Sequence, residues 1–256
     1  VLTVLAGPDR RDPATSPAMV HDYVTYVDAD GLRGARIGVA TSLFGFSHHA
    51  DRVVTNAVEM MRGAGAIIIE VPELTVESDL VRAQREILLH EFKSGLNSYL
   101  AGRAEGPPHT LADVIAFNEQ HADTELQHFG QELFEIAQTR GPLTSQAYLD
   151  AVATVDRLAR VEGLDKFLAG HELDSIVAPT GAPATPIDLI NGDARMGGTS
   201  TLAAAAGYPL ISVPAASVAG MPVGVTFMGA AWSEPTLIKL ASGFEALRGP
   251  RPQPIL

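Results

Sequence analysis

The chain has no cysteine in 256 residues. That excludes disulfides, thiolate zinc sites and a cysteine nucleophile, and says little about compartment. It has a single tryptophan, and no run long and apolar enough to span a membrane. Basic residues are scarce: 18 Lys and Arg stand against 30 Asp and Glu, for a net charge of −12. With a pI near 5.0, no basic stripe is available to neutralise phosphates, which argues against a general nucleic-acid binder. No initiator methionine and no signal peptide are present, and Val1-Leu-Thr-Val-Leu5 reads as the tail of a helix already under way. The missing signal therefore carries no weight, and a cytoplasmic location is the expectation. Internal repeats, low-complexity tracts and a Gly-x-Ser-x-Gly elbow are also lacking.

What is present alternates strands and helices. Gly34–Ala40 reads as a strand entry, Asp51–Arg62 as a helix with Val54, Ala57, Val58 and Met61 on one face, and Ala66–Val71 as a buried-type strand. Short links between them predict a right-handed parallel βαβ unit over 7–75. Residues 77–171 read as mainly helical: Ser78–Leu100, a segment opened by a Thr110/Asp113 capping box, Phe129–Gln138, and Thr144–Leu168. From 173 to 247 the pattern is strand, loop, small helix, hairpin, helix. Ser175–Ala178 is apolar on both faces, as an interior strand is. The Pro/Gly-rich loop 179–198 follows, and Thr199 or Ser200 can cap an Ala-rich helix that Gly207 stops. Leu210–Val213 and Val223–Met228, joined at Ala219-Gly220, predict an antiparallel hairpin. Ser233 is placed to cap a last helix with Pro235 in its first turn and a Leu237, Leu240, Ala241, Phe244 stripe.

Several groups are candidates for chemistry. His121, Glu125 and His128 fall at i, i+4 and i+7, so they could share a helix face and hold a metal; a solvated acidic face is the plainer reading. His48-His49 with Asp51 reads as loop and cap rather than a ligand pair. Ser47 could join a Ser-His-Asp triad only on paper, and Gly197-Gly-Thr-Ser-Thr201 reads as a helix cap rather than a nucleophile loop at Ser200. What this chain could supply is a pocket wall, because open α/β sheets bind ligands beyond the carboxyl ends of their parallel strands. Thr180 lies just past such an end. Gly197, Gly198 and Thr199 open a helix N-terminus with free N–H groups, and Trp232 could line an apolar pocket. For each the structural reading is the stronger one: a turn residue for Thr180, a cap for Thr199, and core or rim packing for Trp232.

The motifs Ala178-Pro-Thr180, Gly207-Tyr-Pro-Leu-Ile-Ser-Val-Pro214, Gly220-Met-Pro-Val-Gly-Val225 and Trp232-Ser-Glu234 occur in that order. At this spacing they resemble the C-terminal part of the amidase signature family of amide hydrolases. Gly7-Pro-Asp9, after Val4-Leu-Ala6, fits the end of that family's catalytic half. Glu91-Phe-Lys93, Leu96-Asn-x-Tyr-Leu100 and Thr110-Leu-Ala-Asp-Val-Ile-x-Phe-Asn118 are similar to the peptide-amidase branch.

The resemblance implies an α/β fold, a mixed sheet flanked by helices, with residues 1–256 forming the C-terminal half of a single domain. It implies hydrolysis of a linear carboxamide through an acyl-serine intermediate without a cofactor. The family's two serines and lysine have no counterpart here and are expected upstream of Val1. The expected partners are the substrate, the N-terminal half of the same enzyme and a possible second copy, with no nucleic acid or membrane span. On this view the chain is a fragment, a proteolytic product or one chain of a two-chain enzyme, inactive alone. The rival is a stand-alone relative serving as an inactive binding or scaffold subunit. Where relatives acting on free amino-acid amides carry an acidic residue before the small helix, this sequence has Gly197 or Gly198, which fits a peptide or neutral amide better.

Overall fold

A computed structural model describes all residues except 13–14, 16–21, 104–105, 107, 193, 195–196 and 251–256. The elements in chain order are α1 (Leu2–Leu5), β1 (Arg36–Val39), α2 (His48–Gly63), β2 (Ile67–Glu70), α3 (Ser78–Ala101), α4 (Leu111–Gln120), α5 (Ala122–Glu125) and α6 (Glu132–Gln138). They continue with α7 (Gln146–Val155), α8 (Asp165–Gly170), β3 (Ser175–Pro179), α9 (Thr201–Ala206), β4 (Leu210–Val218), β5 (Met221–Met228) and α10 (Glu234–Arg248). The chain divides into two compact units, Val1–Val76 with Ala159–Leu256, and Glu77–Leu158.

The first unit is built on a five-stranded mixed sheet in the order β2-β1-β3-β5-β4. β1 pairs in parallel with β2 and β3, while β5 runs antiparallel to β3 and β4. One face packs on α2 and α10. Val177, Val213, Val225 and Phe227 meet Val54, Ala57, Val58 and Met61 from α2 and Leu237, Leu240, Ala241 and Phe244 from α10. These helical positions recur at three- and four-residue spacing, so each helix turns a single stripe inward. Phe227 and Phe244 are fully buried with ring centroids 6.2 Å apart. Each such burial contributes about 1.5–3 kcal/mol.

Three strand and cap expectations need correction. β2 is not a buried strand: its residues are exposed or half-buried, and Ile67 is 48% exposed. Among the described residues it stands at the end of the sheet with one neighbour, whereas β3, flanked on both sides, is buried throughout. β4 does not stop before Pro214 but runs through it to Val218, with a register shift between Pro214 and Ala216. At the end strand of the described sheet a missing N–H removes no ladder bond that a neighbour needs. Ser233 stands at the start of α10 without capping it, because its hydroxyl donates to the Ala230 carbonyl at 2.8 Å.

The hairpin turn is as expected. Ala219 (φ 49°) and Gly220 (φ 82°) both take positive φ, as a two-residue primed turn requires. Gly207 (φ 67°) ends α9, and the Tyr208 N–H donates back to Ala203 at 2.9 Å. Arg160 closes the same terminus: its Nε donates to Ala206 at 2.8 Å and its guanidinium lies 5.7 Å from the Tyr208 ring centre.

In the second unit α3 is the long helix expected, and the Thr110/Asp113 capping box opens α4 in full. Leu89, Leu111 and Ala137 form its buried centre, with Leu96, Ile115 and Phe134 against them. The Lys93 ammonium donates to the carbonyls of Gln138 and Arg140 at 2.8 and 2.7 Å, satisfying the end of α6. The predicted single helix Thr144–Leu168 is three pieces: α7, a π-wound stretch Asp156–Leu164 and α8, with non-helical backbone at Gly163 (ψ −118°).

Candidate functional site

The carboxyl ends of β1 and β3 point the same way, since Val39 pairs with Val177. Thr180 follows β3 directly, its N–H donating to the Gly224 carbonyl at 3.0 Å. The loop beyond returns to its start: Gly181 and Gly198 form an isolated antiparallel bridge. Thr199 is 2% exposed and its hydroxyl donates to the Pro179 carbonyl at 2.6 Å. Neither expected cap operates. Ser200 occupies the cap position of α9 without a side-chain bond, and the Thr199 hydroxyl is used on the strand end instead. Gly197 takes φ +74°, and a Cβ there would lie 2.8 Å from Phe46 in the loop between β1 and α2. Thr180, Gly197, Gly198 and Thr199 are therefore neighbours at one end of the sheet.

Trp232 is not with them. β5 is antiparallel to β3, with Val225 opposite Pro179 and Met228 opposite Ile176. The chain leaves β5 at the amino end of β3, more than about 10 Å along the strand from Thr180 at roughly 3.4 Å per residue. There Trp232 is 53% exposed with φ 62°.

Two residues that the sequence reading passed over join Thr180. Its Oγ1 lies 2.7 Å from Thr226 Oγ1 and 3.3 Å from Ser212 Oγ, and Ser212 and Thr226 are 2.8 Å apart. Thr226 is buried and Ser212 exposed. A Cβ on Gly224 would stand 2.8 Å from Thr180 Oγ1, so Gly224 makes room for that hydroxyl. The cluster is neutral, with hydroxyls that can each donate or accept. The loop it borders carries exposed Ile187, Leu189 and Ile190. Asp188 sets the loop's turn: its carboxylate accepts from the N–H groups of Ile190 and Asn191 at 2.9 Å and from the Asn191 side chain. Those bonds, the Asn191 N–H first, hold its pKa below the usual carboxylate value.

The histidine candidates separate. α4 ends at Gln120 and α5 covers only Ala122–Glu125, so His121, Glu125 and His128 share no helix face. His121 Nδ1 instead meets the Phe117 carbonyl at 2.9 Å. Among the described residues no three His, Cys, Asp or Glu gather to hold a metal, and no helix is long and apolar enough to cross a membrane. Ser47 caps α2, accepting from Ala50 N–H at 3.4 Å. His48 and His49 lie in the first turn of that helix, and Asp51 accepts from the Gly45 N–H at 3.1 Å.

A serine, a histidine and a carboxylate do meet in the second unit. His90 Nδ1 is 2.9 Å from the Glu86 backbone carbonyl, which can only accept, so Nδ1 donates there, and Nε2 lies 3.2 Å from the Ser145 hydroxyl. His90 is 2% exposed and Glu86 is ion-paired to Arg140 at 2.7 Å, so this arrangement ties the start of α7 to α3. Beside it the Tyr148 hydroxyl donates to Glu91 at 2.7 Å, which raises the phenol pKa.

Comparison with known proteins identifies the family. The Amidase family model matches residues 1–238. The chain belongs to the amidase family. Within it the chain lies on the peptide-amidase branch of the amidase signature group. A probable amidase of Arabidopsis thaliana is 32% identical over 255 residues, 96% of this chain and 45% of its own length. The crystal structure of a peptide amidase with the competitive inhibitor chymostatin superposes with a TM-score of 0.86 at 42% identity, over 95% of this chain and 50% of that one. Native peptide amidase from Stenotrophomonas maltophilia gives 0.82 at 39% identity, over 95% and 49%. This amidase-family chain thus spans about half the length of the relatives it matches.

Proposed function

We propose that this chain is part of an amidase that hydrolyses a linear carboxamide, a peptide amide or similar neutral amide, to the acid and ammonia. The likeness to peptide amidases along nearly its whole length carries this reading. In the proposed reaction a serine Oγ attacks the amide carbon, the C–N bond breaks and ammonia leaves with the proton. Water then releases the acid from the acyl-serine. The nucleophile, its partner serine and the lysine base are assigned to polypeptide outside these 256 residues, because no segment here matches the family's Gly/Ser-rich catalytic stretch. Thr180 and Gly197–Thr199 would form part of the substrate wall. The neutral Gly197 and Gly198 support a substrate without a free amino group beside the amide.

Ammonia release from peptide, aryl and aliphatic amides tests this reading, using both the whole polypeptide that carries this chain and the 256-residue chain alone. Turnover of a peptide amide by the whole and none by the part is the expected result. Turnover by the part, abolished by Ser200→Ala, would move the nucleophile into this chain. No turnover by either would favour an inactive binding subunit.

A further inference from the structure

On the sheet face opposite α2 and α10, the side chains alternate away from Val177, Val225 and Phe227. Ile176, Ala178 and Met228 make that face apolar, and all three are fully buried. At its carboxyl end the character changes to the three hydroxyls of Thr180, Ser212 and Thr226. A cross-strand Ser212–Thr226 pair is ordinary sheet stabilisation. Thr180 is different. It lies beyond the end of β3, held by its own N–H on Gly224 and given room by the glycine.

The triangle has unequal sides. Two bonds, 2.7 and 2.8 Å, run to the buried Thr226, while the third, Thr180 to Ser212, spans 3.3 Å at the exposed side. Bonds of this type are strongest near 2.7–2.8 Å, so the outer side is the weakest and opens at least cost. Opening it frees one O–H on Thr180, which is half-buried, and one lone pair on the exposed Ser212. A carboxamide carries the complementary pair, a C=O acceptor beside an N–H donor.

We propose that the Thr180–Ser212 edge binds a neutral carboxamide, and, resting on the amidase reading, that this is an amide of the peptide substrate. The Thr180 hydroxyl donates to the carbonyl oxygen and the amide N–H donates to Ser212 Oγ. Thr226 stays behind, fixing both hydroxyls. One long hydrogen bond is exchanged for two. An acid at the same place brings a charge that three neutral hydroxyls do not balance, so it is held more weakly.

N-acetyl-leucinamide is the probe, used with the longest polypeptide that carries this chain. KM is measured where ammonia is released, and saturation-transfer NMR reports binding where it is not. Thr180→Val and Ser212→Ala are each expected to raise KM or Kd about five- to tenfold, the worth of one hydrogen bond, with kcat retained. Thr180→Ser, which keeps the hydroxyl, is expected to restore binding, and it serves if the valine variant fails to fold. Unchanged KM or Kd in folded Ser212→Ala and Thr180→Val overturns the site, as does a wild type that neither turns over nor binds the probe. Binding without ammonia release, lost in the variants, would keep the site and remove the amidase reading.

Discussion

The Thr199 hydroxyl reaches back across the loop to donate to the Pro179 carbonyl at 2.6 Å, and both residues are buried. It fixes where the chain re-enters the sheet layer after residues 181–198. Thr199→Val keeps the shape and leaves that carbonyl without this partner, so it is expected to destabilise by about 1–3 kcal/mol. Urea unfolding at constant m measures it; a loss below a few tenths would show that the bond contributes nothing.

Gly224 is expected to tolerate no side chain. Its absent Cβ would stand 2.8 Å from Thr180 Oγ1 and 3.4 Å from the Val213 carbonyl. Gly224→Ala is predicted to cost about 1–3 kcal/mol by overpacking. The loss should shrink in Gly224→Ala/Thr180→Gly, which removes the opposing group. A double-mutant cycle with no coupling between the two would contradict the contact.

In the second unit the pH dependence has a definite sign. Hydrogen bonds from the N–H of His109 first, then the Thr110 side chain, hold the Asp113 pKa below its ordinary 3.8. A lowered folded value means stability that is present above 3.8 and lost as pH falls through the folded pKa. Asp113→Asn should therefore melt below wild type at neutral pH. The two should converge in acid well below 3.8. A gap that persists there would have another origin.

Lys93 closes the end of α6 with two charged hydrogen bonds. Lys93→Met retains the stem and removes both, so a loss of about 1.5–3 kcal/mol is expected. Amide hydrogen exchange is predicted to speed up in α6 before α4. Uniform acceleration across the unit would argue against a local role.

Much of the fold was legible because its signals are local. The stripes of α2 and α10, the doubly apolar β3, the Ala219-Gly220 turn and the Thr110/Asp113 box depend on residues a few positions apart. What failed depends on neighbours in space. β2 is as apolar as β3 but, among the described residues, has a strand partner on one side only. His121, Glu125 and His128 keep helical spacing across a helix that stops at Gln120. The hydroxyl triangle was hidden by the register shift. A regular hairpin counted back from Val218–Met221 would set Ser212 against Phe227, and the bulge between Pro214 and Ala216 sets it against Thr226 instead.

The bridge between Gly181 and Gly198 makes the loop it closes a separable cassette. With both ends already side by side, changing its length costs little, about 0.6 kcal/mol per doubling. Its aliphatic tip at Ile187, Leu189 and Ile190 can then be exchanged without disturbing the strands that hold Thr180. Grafting a different tip between the two glycines should leave the sheet's melting temperature unchanged, a division of labour that lets one scaffold diversify by swapping one segment.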